Sequence, residues 1–140
     1  MDNKKVLITS KHFQQAINDY ATEFKKRKID YEIIKSKQFV EKKKIINIIH
    51  KYDGVICSDD IFDKEVLLNA KKLKVISKWG KGINTIDTKC ALKRGIIVKN
   101  CVNSLNESTS NYAIGLILSI TRNITQSDKE IKNGNWKRFE

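Results

Sequence analysis

Short β-branched runs alternate with longer amphipathic stretches over the first two thirds of the chain. Val6-Leu7-Ile8-Thr9 predicts a strand, because a brief continuous apolar run suits a ladder buried on both faces. Residues 12 to 27 then place Phe13, Ile17, Tyr20, Ala21 and Phe24 at helical spacing, an apolar stripe on a charged cylinder. Tyr31-Glu32-Ile33-Ile34 predicts a second strand, and Ile45, Ile46, Ile48 and Ile49 mark the inner face of a helix ending near Tyr52. Gly54-Val55-Ile56-Cys57 reads as a third strand. Ser58-Asp59-Asp60 is expected to start and cap a helix around Lys64 to Ala70. Lys74-Val75-Ile76-Ser77 follows as a fourth strand, Asp87 caps a helix that stops at Gly95, and Ile96-Ile97-Val98 closes the series.

Buried strands separated by helices predict an α/β fold with an open parallel sheet covered on both faces. Right-handed crossovers favour a flavodoxin-like, doubly wound sheet of about five strands in the order 2-1-3-4-5. The last third departs from this pattern. Ser104 and Glu107 form a capping box at the head of a helix running to about Arg122. Ala113, Ile114, Leu116, Ile117, Leu118 and Ile120 leave that helix almost no polar face, so it needs cover on every side. The tail from Thr125 to Glu140 is polar except for Ile131, Trp136 and Phe139, and cannot supply that cover. The expectation is a domain at 1–102, followed at 103–140 by a helix that meets a second subunit or a further domain.

The 140 residues, 40% apolar and 31% charged, describe an ordinary globular chain. Val6 to Ile8 is too short for a signal-peptide core, which predicts a cytoplasmic location, and no apolar run suits a membrane span. A net charge of +12 raises nucleic-acid binding. The lysines are spread along the chain, however, and the runs at Lys25 to Lys28 and Lys42 to Lys44 fall at a helix end and a helix start. They read as solvated surface, so no nucleic-acid partner is expected. Cys57, Cys90 and Cys101 are widely spaced without C-x-x-C, which predicts neither disulfides nor a metal site.

In an open parallel sheet, ligands bind beyond the carboxyl ends of the strands. The loops expected there are Thr9-Ser10-Lys11, Ser58-Asp59-Asp60 and Lys78-Trp79-Gly80-Lys81-Gly82. Gly80 and Gly82 around Lys81 suit a backbone nest for an anion, with Lys78 or Lys81 adding positive charge; a plain tight turn fits the spacing equally well. His12 and His50 lack partner spacing for a metal or a triad, and G-x-x-x-x-G-K-[ST] and G-x-G-x-x-G are both absent. The first loop has no glycine for a flavin phosphate and no acidic residue for a phosphoacceptor pocket.

LKVISKWGKGINTIDTKCALKRGIIVKN from Leu73, then NESTSNYAIGLILSITRNI and NGNWKR, resembles the D-2-hydroxyacid dehydrogenases, the phosphoglycerate dehydrogenase group especially. The likeness runs without a gap from Leu73 to Arg138. It implies a two-domain, NAD- or NADP-dependent oxidoreductase acting on a small 2-hydroxy or 2-keto acid. By that resemblance, main-chain N–H groups at Lys81 and Gly82 bind the substrate carboxylate, with help from Cys57 and Ser58. The helix at 104–122 would cross between domains and build a homodimer.

Departures blur the substrate. Asn84-Thr85 stands where the family commonly has Asp-Asn, Val102 where it often has Pro, and Asn111 where it often has an acidic residue. The resemblance further implies that the coenzyme fingerprint and the catalytic Arg, Glu and His lie beyond position 140, as does a last helix of the substrate domain. This chain would then hold no catalytic and no coenzyme-binding residue of its own, and would neither turn over substrate nor bind NAD tightly. The alternative class is a free-standing flavodoxin-like ligand-binding or regulatory module.

Overall fold

The structure is a computed structural model that describes residues 3–36, 38–103 and 106–136. It divides into two compact units at Val102 and Asn103.

In the first unit β1 (Lys4–Ile8), α1 (Lys11–Lys26), β2 (Ile29–Ile33), α2 (Lys42–Ile48), β3 (Gly54–Cys57), α3 (Lys64–Asn69), β4 (Val75–Lys78), α4 (Thr88–Lys93) and β5 (Ile97–Asn100) follow in turn. All pairings are parallel and the sheet order is β2-β1-β3-β4-β5, the flavodoxin-like order expected. Most strand ends move by a residue or two. Thr9, expected in the first strand, has already left it.

Two apolar layers sandwich the sheet. On one face Leu7, Val55, Cys57 and Ile76 meet Ile45, Val66, Leu67 and Ala91 from α2, α3 and α4, and Ile49 from the turn after α2. On the other, Ile8 meets Phe13 and Ile17 of α1, with Val6, Ile33 and Ile56 at the margin. That second face is covered only in part. Val6, Gly54, Val75 and Ile97 are in register, so they share a side of the sheet. Val75 and Ile97 nevertheless stand exposed, Ile97 at 58%.

Local chemistry places the helices. Ser10 caps α1 through Phe13 N, and Lys25 and Lys26 lie in its last turn, where they complement the dipole. Asp87 caps α4 by accepting from Cys90 N, and Gly95 follows that helix at φ +67°. One expectation fails. Ser58-Asp59-Asp60 does not cap α3; Asp63 does, accepting from Val66 N at 3.1 Å. Lys42 Nζ also bonds the Asp63 carboxylate and holds its pKa below the usual value. Ser58 and Asp60 turn inward instead, because Asp60 has buried donors to meet, while Asp59 stays exposed.

The second unit holds α5 (Asn106–Thr121) and α6 (Ile124–Lys132). Ser104 of the expected capping box lies outside the described residues. No residue of α5 is buried, and Ile117 is 61% exposed. The expected polar tail contains the helix α6, supported by Lys132 on Asp128 and Gln126 on Glu130, each four residues apart. No helix among the described residues is long and apolar enough to cross a membrane.

Candidate functional site

The carboxyl ends of β1, β3, β4 and β5 carry loops that are bonded to one another. Ser10 Oγ and Ser58 Oγ lie 2.7 Å apart, joining the first loop to the third strand. Thr9 N and Ser10 N both donate to the Ile56 carbonyl. Trp79 N donates to the Cys57 carbonyl at 2.7 Å, and its ring packs on Phe13 with centroids 5.2 Å apart. Cys101 N, past β5, donates to the Gly80 carbonyl at 3.0 Å. The strand register brings Cys57 beside Lys78 and Lys78 beside Asn100. Loops far apart in sequence therefore form one surface.

Asp60 is the buried centre of this surface. Its Oδ2 accepts from Thr9 Oγ1 at 2.6 Å and Ser58 N at 3.2 Å, and its Oδ1 accepts from Val40 N at 2.7 Å. A carboxylate with no exposed surface is tolerated only when its lone pairs are met, and donors from three segments meet them. Sequence reading placed Asp60 in a cap and missed this role. Nothing in the pattern signals it, since a Ser-Asp-Asp loop looks the same whether it faces water or the core.

Lys78 departs from its expected use. Only 4% exposed, it donates through Nζ to the Ser58 carbonyl and to Asp59 Oδ1 at 3.0 Å. Its charge is engaged inside the protein, whereas Lys81 is exposed. Cys57 shows its side chain to the core and contributes only main chain here. Burial, reinforced by nearby Asp60, pushes the Cys57 thiol up to about 12, so it is no nucleophile at neutral pH. Ser58 is buried with its hydroxyl on Ser10.

The glycine loop is shaped by two anchors. The Gly80 carbonyl is held by Cys101 N and the Lys81 carbonyl by Asn100 Nδ2 at 2.6 Å. In a trans peptide the following N–H points opposite the carbonyl. The N–H groups of Lys81 and Gly82 are thus turned away from the sheet end that holds the carbonyls. Gly80 sits at φ +146°, a conformation side chains disfavour, while Gly82 has no such backbone demand. Gly80 makes the tight turn, and the two held carbonyls fix the peptides that follow it.

Other features offer less chemistry. A cavity of about 830 Å³ opens among Lys4, Lys5, His50, Lys51 and Lys72, at the opposite, amino end of the strands. Both histidines are exposed, and no metal-holding group of His, Cys, Asp and Glu occurs among the described residues. A dinucleotide does not fit the β1–α1 turn. That turn is Thr9-Ser10, without glycine, and its two hydroxyls are committed to Asp60 and Ser58.

The fold is a doubly wound α/β domain whose strand-end loops are bonded into one surface. The sequence model described as D-isomer specific 2-hydroxyacid dehydrogenase, catalytic domain, matches residues 6–134. The chain belongs to the D-isomer specific 2-hydroxyacid dehydrogenase family. It is 34% identical over 135 residues to D-3-phosphoglycerate dehydrogenase of Archaeoglobus fulgidus, covering 96% of this chain and 24% of that protein. It is 28% identical over 135 residues to glyoxylate reductase of Pyrococcus furiosus, covering 96% and 39%. A solved protein of Thermus thermophilus matches with a TM-score of 0.77 at 25% identity, over 97% of this chain and 42% of the other. The chain therefore spans well under half the length of these relatives.

Proposed function

We propose that this chain is the substrate-binding part of an NAD- or NADP-dependent oxidoreductase acting on a small D-2-hydroxy acid or its 2-keto acid. Residues 1–102 recognise the substrate carboxylate. Residues 103–140 lead toward a coenzyme-binding domain and, through the long helix, pair two subunits. The observation that carries the reading is the anchoring of the Gly80 and Lys81 carbonyls, which aims the next N–H groups as an anion cradle. Exposed Lys81 adds a favourable field, and Ser58 closes the neighbouring loop.

Two further features support a longer enzyme. Among the described residues of 1–102 no helix covers the sheet face at Ile97, whereas parallel sheets ordinarily need both faces covered. The relatives carry more than half of their length outside the matched region. When bound, the nicotinamide supplies hydride transfer. The residues here bind and orient the acid, and no step of that transfer belongs to them. The chain alone is accordingly inactive and binds NAD weakly.

Amide-resolved NMR titration of the chain with D-lactate or D-glycerate tests this. Shifts should cluster at Lys81 and Gly82, with affinity on the order of millimolar because no second domain closes over the ligand. Added salt should weaken binding. Shifts confined to other loops, or turnover of NADH with a 2-keto acid by this chain alone, would refute the reading.

A further inference from the structure

The anchoring seen in the glycine loop recurs once on the neighbouring strand. There the Ser58 carbonyl is held by Lys78 Nζ, and trans geometry turns the Asp59 N–H the other way. The same Ser58 residue is gripped from behind, its N–H donating to Asp60 Oδ2 at 3.2 Å. A cation and an anion, both withdrawn from water, thus bracket one residue. The register of Cys57 with Lys78 sets this residue beside Trp79 and Gly80, next to the cradle.

We propose that Lys78 is a positioning residue which, with Asp60, orients the Ser58–Asp59 peptide so that the Asp59 N–H becomes an additional donor to the substrate carboxylate. The inference rests on the carboxylate-binding reading above. A lysine meant to touch the ligand would keep its ammonium open to the cleft. Here the side chain is 4% exposed and its ammonium faces an internal carbonyl and Asp59 Oδ1 at 3.0 Å. Desolvating an ammonium is costly unless its donors are well used. Lys78 uses them on the Ser58 carbonyl and on the Asp59 carboxylate, in the loop beside the glycine turn.

The test is a titration of the whole chain, labelled with ¹⁵N, against D-lactate. The Asp59 and Gly82 amides should shift together with one dissociation constant. Lys78→Met should lose the Asp59 response and weaken binding about fivefold, the share of one hydrogen bond. Lys78→Arg, which can still reach the carbonyl, should recover much of it. Lys78→Met combined with Asp59→Asn should stay as weak as Lys78→Met. Recovery of wild-type affinity in that double variant would overturn the proposal, because Lys78 would then merely neutralise Asp59. Shifts at Gly82 without any at Asp59 would overturn it while leaving the carboxylate reading in place. Silence at both loops would remove both. If Lys78→Met does not fold, the wild-type titration still decides the Asp59 donor, and the Asp59 response of Lys78→Arg decides the positioning role, its loss with Gly82 unchanged overturning it.

Discussion

Thr9 Oγ1 donates to Asp60 Oδ2 across 2.6 Å in buried surroundings, tying the end of β1 to the loop after β3, 51 positions away. The bond matters beyond its own strength. Asp60 also takes Val40 N and Ser58 N, so one carboxylate fixes the approach to α2 and the loop beside the glycine turn. Asp60→Ala strands three buried donors and should cost about 3 kcal/mol, while Thr9→Val should cost about 1 kcal/mol. Urea denaturation of the two variants measures this. Equal, small losses would show that water reaches the gap and replaces the carboxylate.

Gly80 and Gly82 should separate stability from binding. Gly80→Ala forces a side chain onto φ +146° and should destabilise by about 1–3 kcal/mol. At Gly82 an added Cβ meets only Asn84 Oδ1, at 3.4 Å. Gly82→Val should therefore keep the melting temperature near that of the parent while abolishing the D-lactate shifts, by denying the ligand its close approach. Unchanged shifts in Gly82→Val would take Gly82 out of the site.

Stability should fall at alkaline pH partly through Cys57. Its folded-state pKa, about 12, lies above the ordinary thiol value near 9, mainly because the thiolate cannot be solvated in the core. The folded state then holds the proton more tightly than the unfolded state. The stabilisation is full below pH 9 and is lost as pH rises from 9 toward 12. Tyr52, raised by burial and by its bond to Glu32, adds loss in the same direction. Cys57→Ala should flatten the slope of unfolding free energy against pH in that window. Iodoacetamide at pH 8 should label the partly exposed Cys90 and Cys101 well before Cys57.

Leu116, Ile117, Leu118 and Ile120 of α5 are all exposed, an apolar patch that water disfavours. If this helix pairs subunits as proposed, light scattering should report a dimer. Ile117→Lys with Leu118→Lys should shift the chain to monomer, because the contact would bury unpaired charge. A monomeric parent chain at high concentration would remove the pairing role from α5.

Much of the architecture was readable from the residue pattern. The β-branched runs at Val6 to Ile8, Gly54 to Cys57 and Val75 to Ser77 name their own strands, since a brief apolar stretch between helical periods has few other uses. Ser10, Asp87 and Gly95 act at helix ends through contacts a few residues away, so local sequence suffices for them. The glycine loop could be located for the same reason: it follows a buried strand and must therefore lie at the carboxyl edge. The helix α6 was less legible, because exposed pairs such as Asp128 with Lys132 support it with little apolar signal.

The inner state of the site was decided elsewhere. Lys78, Asp60 and Ser58 are polar residues in loop-like sequence, and composition assigns all three to water. Asp60 and Ser58 meet partners at Thr9, Val40 and Ser10, and Lys78 meets Ser58 and Asp59, all brought in by parallel crossovers that no local window contains. The same holds for α3. Asp60 is spent on three buried donors and Asp63 is left to cap the helix. The sequence by itself determined the alternation of strands and helices and the position of the candidate loops, because these follow from periodicity and short-range caps. The strand order was an expectation of fold class that the assembled sheet meets. Only the tertiary structure decided which polar groups leave water and which carbonyls are held, because those outcomes depend on satisfying buried hydrogen bonds between residues distant in the chain.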